Sequence, residues 1–260
     1  MPPTHVATPA QLRDAYRRVS ERIAAAAERS GRRPDDVVMV AVTKNASPDQ
    51  IRQLVALGHA DLAENRVPQL CQRAAQIQEF VTRHHLLSGA ATKGHGEVPE
   101  QVRWHMVGHL QRNKVKNVVP LVKLIHSVDS LRLAEEIHNF AARRDLVVDI
   151  LIQVNISGET GKFGVAPPAV IHLAEQIATM MHLRIRGLMT MAPYSDNPED
   201  ARPVFARAAE LFADLRQAGV ADDECNILSM GMSGDFEVAV EEGANVVRIG
   251  RALFGDVDSG

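Results

Sequence analysis

The chain has 260 residues, 45% of them hydrophobic, two cysteines and a formal net charge of −3, which suits one large domain burying a full core or two small ones. Mixed charge, only 4% aromatic residues and no stacking platform argue against nucleic acid as a partner, and Cys71 and Cys225 are too few for a disulfide framework. The opening Met1-Pro2-Pro3-Thr4-His5 lacks the regions of a secretory signal and no apolar run approaches membrane-spanning length, so a soluble cytoplasmic protein with no membrane role is expected.

Read in chain order, an amphipathic helix over Pro9 to Arg29, closed by Gly31 and Pro34, precedes an alternation of apolar β-type runs and helical stretches. Strands are predicted to begin near Val37, Asp61, Val102, Leu124, Val147, Ile185, Asn226 and Asn245, eight in all. Helical periodicity is clearest over residues 48–57, 131–143, 167–181 and 198–217, several of which open with Ser, Asp or Pro. Strands that alternate with helices and are apolar on both faces imply a parallel sheet, and eight such units in this length imply a closed (β/α)₈ TIM barrel, here a single domain over 1–260. The alternative is an open doubly wound sheet, but its glycine-rich first turn is missing from Thr43-Lys44-Asn45-Ala46-Ser47. Residues 84–101 read as a mobile, dispensable loop insertion at the amino-terminal end of the barrel. The chain stops ten residues after Gly250, so the opening helix is expected to cover the surface that a full final helix would have covered.

Six lysines are present, and Lys44 alone ends an apolar strand, Val37-Val38-Met39-Val40-Ala41-Val42-Thr43-Lys44. A lysine desolvated at such a place becomes a nucleophile toward carbonyls, which makes Lys44 a Schiff-base candidate; a lysine snorkelling at a strand end is the plain alternative. In a barrel of this kind active groups come from the carboxyl ends of the strands. The residues there are Lys44, Asn65, Gly108-His109-Leu110-Gln111, Asp129, Asn155 with Ser157, and Met189-Thr190. The last two strands end in Met230-Gly231-Met232-Ser233-Gly234-Asp235 and Val247-Arg248-Ile249-Gly250-Arg251. Those two loops form a candidate phosphate cup, with the Ser233 hydroxyl and the amides of Gly234, Gly250 and Arg251 as donors and helix dipoles in support; glycines that merely permit tight turns are the other reading. Arg248 lies inside the last strand and needs an acceptor, either a ring nitrogen of a bound cofactor or a buried carboxylate such as Glu64 or Asp129. Amine, phosphate cup and cationic donor together match the aldehyde, phosphate and pyridine nitrogen of pyridoxal 5′-phosphate.

Seven segments then carry a resemblance over nearly the whole chain: Ala41-Val42-Thr43-Lys44, Ala63-Glu64-Asn65, Trp104-His105-Met106-Val107-Gly108-His109-Leu110-Gln111-Arg112-Asn113-Lys114, Gln153-Val154-Asn155-Ile156-Ser157, Arg186-Gly187-Leu188-Met189-Thr190-Met191, Leu228-Ser229-Met230-Gly231-Met232-Ser233 and Val247-Arg248-Ile249-Gly250. The sequence resembles the pyridoxal phosphate homeostasis proteins, whose fold is like the barrel domain of bacterial alanine racemase. The resemblance implies that Lys44 carries the cofactor as a Schiff base, Ser233 with the Gly250 and Arg251 amides holds the phosphate, Arg248 faces the pyridine nitrogen and Asn65 lies beside the cofactor. Ala63 replaces the glycine of the family's Gly-Glu-Asn motif, and His109 stands where the family usually has Pro or Ser, so His109 inherits no role.

An arginine at the ring nitrogen donates without giving up its proton and leaves the ring a weak electron sink, and no residues remain for the second domain that closes a racemase site. A reversible carrier that limits free pyridoxal phosphate, and by resemblance hands it to apo-enzymes, is therefore expected, as a monomer because no dimer seam is evident. A racemase-like enzyme on the same cofactor, and a barrel binding a phosphorylated metabolite or a protein without it, are the rivals. Other signals are weaker. Gly158-Glu159-Thr160-Gly161-Lys162-Phe163 lacks the residues of a P-loop, His105 and His109 have metal spacing but sit on a strand, and the methionines around Met180, Met189 and Met230 read as packing. Asp222-Asp223-Glu224 reads as an exposed acidic turn.

Overall fold

Thr8 and Gln11 form a reciprocal cap that starts helix α1, Pro9–Arg29, and the helix buries Leu12, Val19, Ile23 and Ala26 on one stripe. The computed structural model describes residues 8–88, 98–221 and 223–255. Beyond α1 the elements are β1 (Val38–Val42), α2 (Pro48–Ala56), β2 (Asp61–Glu64), α3 (Val67–Ser88), β3 (Arg103–Met106), α4 (Val115–Val118), β4 (Leu124–Val128) and α5 (Leu131–Ala142). There follow β5 (Val148–Gln153), α6 (Val170–Ala178), β6 (Leu183–Met189), α7 (Arg202–Gln217), β7 (Ile227–Ser229), α8 (Phe236–Glu241), β8 (Val246–Ile249) and α9 (Arg251–Phe254). The eight strands pair in parallel and in sequence order, and β8 pairs with β1 to close the barrel, as the alternation of strands and helices requires.

Two boundaries differ from the sequence reading. Helix α3, which buries Leu70, Ile77 and Val81, continues to Ser88, five residues into the stretch expected as loop, and its last turn leaves Leu86 and Leu87 exposed; residues 89–97 of that stretch lie outside the described residues, and with them the expected mobility. The stretch from Pro167 begins as a 3-10 turn, Pro167–Ala169, and α6 ends at Ala178, with Met181 exposed. Helix α9 is one turn long, and α1 packs against α8, α9 and α2, with Arg22 and Arg29 paired to Glu237 and Glu241 on α8.

The interior divides in two. One continuous apolar cluster fills the layer between strands and helices, from Leu12 and Ile51 round to Phe205 and Phe236. Inside the barrel lie two small apolar groups, Val40, Ala63 and Val246, and Leu124, Leu151 and Met189. The buried polar side chains His105, His126, Ser229 and Arg248 occupy inward strand positions alongside them. Among the described residues no helix is long and apolar enough to cross a membrane.

Candidate functional site

Strand register brings the candidate residues onto neighbouring strand ends. Val40 pairs with Arg248 and Ala41 with Ile249 across β1 and β8, so Lys44 and Gly250 leave adjacent strands at the same rim. Val42 pairs with Ala63 across β1 and β2, which sets Asn65 beside the Lys44 turn. Ser229 pairs with Val246 across β7 and β8, which brings the Ser233 loop to the other flank of Gly250.

Lys44 is exposed, in a turn closed by the Ala46 amide donating to the Thr43 carbonyl at 2.8 Å. The sequence reading had it desolvated at the strand end; one residue of turn beyond Thr43 is enough to lift it into solvent. The turn itself is clamped. Arg73 on α3 donates to the Thr43 carbonyl and, at 2.9 Å, to the Ala46 carbonyl, one on each side of Lys44. Arg73 is also paired with Glu64, which is fully buried and accepts a short hydrogen bond from the Thr43 hydroxyl. Asn65 is half-buried, and its backbone presses on Gly108 so closely that a Cβ there would lie 2.1 Å from the Asn65 carbonyl oxygen. Gly108 thus seats the Asn65 turn by having no side chain.

On the opposite flank, the Ser233 hydroxyl oxygen accepts the Gly250 amide at 3.3 Å and the Ala252 amide at 3.1 Å, neither bond using its own O–H. Arg251 is exposed and opens α9, and a helix of one turn adds little dipole, so any anion held here would rest on donor groups rather than on the helix. Two of the three loop glycines are required by their surroundings. Gly231 has φ +90° and no room for a Cβ against Ala239 and Phe236, Gly250 lies close to the Val42 carbonyl, and at Gly234 a Cβ would meet open space. A cavity of about 280 Å³ opens beside this flank, lined by Lys162, Met191, Tyr194, Asp235 and Arg251 among others. Burial pushes the Asp235 carboxyl up, against the pull of the Met232 amide and of Arg248.

Arg248 is 4% exposed and donates through Nη1 to Ser229 Oγ and through Nη2 to the Thr190 carbonyl, both at 2.8 Å. Burial pushes its guanidinium down to about 10, with Asp235 acting in the opposite sense. Neither carboxylate considered from the sequence serves it. Glu64 is taken by Arg73 and Thr43, and Asp129 faces His109, whose ring stacks on Phe163 at 3.9 Å. His105 and His109 also part company, the first buried inside the barrel and the second exposed at the rim. Lys162 is paired with Glu159, and Glu224 with Arg184; Asp222 lies outside the described residues.

Sequence reasoning missed Arg73, Glu64, Thr43 and Gly108 as supports, and Ser229, with His126 and His105 bonded in line behind it, as the partner of the buried arginine. A signal existed for His126, since Leu124-Ile125-His126-Ser127-Val128 places an imidazole and a hydroxyl in a fully buried strand.

A closed parallel barrel with polar groups gathered at one rim defines an α/β barrel protein of the alanine racemase type, and the family model for the alanine racemase N-terminal domain matches residues 74–258. Curated relatives narrow this: the chain is 41% identical over 240 residues to the pyridoxal phosphate homeostasis protein of Aquifex aeolicus, covering 92% of this chain and 95% of that one. The Deinococcus radiodurans protein of the same name is 41% identical, with 86% and 92% covered. The chain belongs to the pyridoxal phosphate homeostasis protein family. Among solved structures, PipY of Synechococcus elongatus with pyridoxal phosphate bound is 32% identical with a TM-score of 0.73, covering 91% of this chain and all of that one. An alanine racemase of Clostridium difficile, 16% identical with a TM-score of 0.66 over 95% of this chain and 57% of that one, shares the fold.

Proposed function

We propose that this protein binds pyridoxal 5′-phosphate through a Schiff base to Lys44 and acts in the cytoplasm as a reversible reservoir that limits the free aldehyde. The observation that carries the reading is the convergence of Lys44, the Ser233 loop and buried Arg248 on the adjacent ends of β1, β7 and β8. The donors present fit the cofactor. Ser233 and the Gly250 and Arg251 amides would hold the phosphate, Asn65 would flank the ring, and Arg248 would address the pyridine nitrogen.

When bound, the cofactor supplies an electrophilic aldehyde and a conjugated ring. What this chain adds limits its use. Arg248 can only donate, so the ring nitrogen would stay unprotonated and draw electrons weakly. Lys44, Met232, Gly234 and Arg251 are exposed, which gives water access to the mouth and poor control of protons. Both features favour holding and releasing the aldehyde, to apo-enzymes that use it, over turnover. A racemase-like activity is the competing reading of the same site.

Borohydride reduction of the loaded protein, followed by peptide mass mapping, should place the reduced adduct on Lys44, and Lys44→Ala should lose both adduct and yellow colour. An adduct on another lysine would overturn the site. Amino-acid racemisation that disappears with Lys44→Ala would replace the reservoir with an enzyme, and a protein that takes up no cofactor at all would leave a barrel for another phosphorylated ligand.

A further inference from the structure

The barrel interior holds a polar column that the binding reading does not use. Ser229 Oγ lies 3.0 Å from His126 Nδ1, His126 Nε2 lies 2.9 Å from His105 Nδ1, and His105 Nε2 lies 3.2 Å from Asp61 Oδ1. Asp61 is held from below by Arg103, through Nε at 2.7 Å and Nη2 at 2.5 Å. With the bond from Arg248 to Ser229, the column runs from the rim that carries Lys44 to the amino-terminal ends of β2 and β3. Its lower end opens on a cavity of about 410 Å³ that Tyr16, His59, Asp61 and Arg103 help to line.

We infer that Asp61, His105, His126 and Ser229 form one directional hydrogen-bond chain that fixes the Arg248 guanidinium, making the two histidines positioning residues for the ring-nitrogen contact. The inference rests on the binding reading above. Direction follows from the ends. Arginine only donates and an ionised carboxylate only accepts. Ser229 Oγ must therefore accept from Arg248, which leaves its single O–H to donate to His126 Nδ1. His126 then carries its proton on Nε2 and donates to His105 Nδ1, and His105 carries its own on Nε2 and donates to Asp61. Turning either neutral ring over would set two acceptors or two donors against each other.

The charges agree with this assignment. Burial pushes the His126 imidazole well below the ordinary histidine range, and the nearby charge of Arg248 acts in the same direction, so it is neutral. Burial alone would raise the Asp61 carboxyl, but hydrogen bonds from His105 and Arg103 outweigh it and keep the group ionised. A cationic His105 would reverse the bond to His126, and it would add a positive charge to an interior where Arg103 already answers Asp61. Two imidazoles are a costly filling for a barrel layer that branched apolar residues occupy more cheaply. What they provide is a defined acceptor, backed through to the far rim, for an arginine that cannot be left to swing.

Two measurements test the chain. In the protein without cofactor, ¹⁵N spectra of histidine-labelled protein should show His105 and His126 as neutral Nε2–H tautomers; an Nδ1–H His126 overturns the direction. With pyridoxal phosphate, Ser229→Ala should weaken binding about tenfold, the scale of one hydrogen bond to a charged group, and should shift the visible absorbance band. His126→Leu should do likewise, while His126→Asn, which keeps an acceptor beside Ser229, should restore part of the shift. Wild-type affinity and spectrum in both Ser229→Ala and His126→Leu would refute the positioning role, and Ser229→Ala settles it alone if His126→Leu does not fold. Wild-type protein that takes up no pyridoxal phosphate removes the binding reading and this role with it, a result distinct from wild-type binding that the variants leave unchanged.

Discussion

On the β1–β2 side of the rim, the Lys44 turn is gripped by side chains that arrive from elsewhere: Arg73 from α3, Glu64 from the end of β2, and Thr43 between them. On the β7–β8 side, the loops are held by their own backbone amides gathered onto one serine, with Gly231 and Gly250 permitting the approach. The difference suits the two tasks proposed for them. An exposed lysine on a flexible stem needs its base fixed if the amine is to meet one carbonyl, whereas an anion is met by the donors of a loop pair that already holds itself in place.

Arg73→Ala is the sharpest way to break the first side while sparing the second. Glu64 is fully buried, its Oε2 has no hydrogen-bond partner among the described residues, and Oε1 receives both Arg73 and Thr43, so removing the guanidinium leaves a buried carboxylate on one hydroxyl. Breaking a buried pair in this way costs about 3–5 kcal/mol. Urea unfolding should show that loss, and borohydride trapping on Lys44 should fall while inorganic phosphate binding persists. Unchanged stability and full trapping would show that the clamp is idle.

Gly108→Ala should come next in size. The added methyl would meet the Asn65 carbonyl oxygen, carbonyl carbon and Cα at 2.1–2.7 Å, all backbone atoms that cannot swing aside. Overpacking of this kind costs about 1–3 kcal/mol. The expected signature is a lower denaturation midpoint together with weaker pyridoxal phosphate binding, because the Asn65 turn must move. A midpoint that falls with binding intact would make Gly108 a folding residue alone.

The same contrast explains what could be read before any coordinates. The β7–β8 side is written locally: Ser233, Gly250 and Arg248 lie within 18 consecutive residues, and glycines next to strand ends announce themselves. Barrel closure was legible for a similar reason, since strand and helix periods are local patterns. Arg73 lies 29 residues beyond Lys44, on a helix whose polar positions look alike in sequence, and nothing local marks which of them turns inward. The polar column is harder still, because Asp61, His105, His126 and Ser229 come from four strands and meet only once the barrel has closed. The exposure of Lys44 was missed because sequence locates the end of a strand more coarsely than the one residue that decides burial.

The smallest effect separates both sides of the rim from the column between and below them. Burial holds the imidazoles of His126 and His59 below the ordinary histidine range in the fold, while the unfolded chain takes up a proton on each near pH 6.5. Between the two values the unfolded state binds more protons, so the stability these groups contribute is fully present above about pH 6.5 and is lost as pH falls, at up to about 1.4 kcal/mol per pH unit for each. Asp61, depressed in the fold, adds its loss only below about pH 4. Urea titrations at pH 7.5, 6.5 and 5.5 should therefore show a falling midpoint, and His126→Asn should flatten the slope by one proton's worth. A midpoint independent of pH over this range would mean that water or a relaxed packing accommodates charged imidazoles inside the barrel, and the interior column would then be softer than the rim it supports.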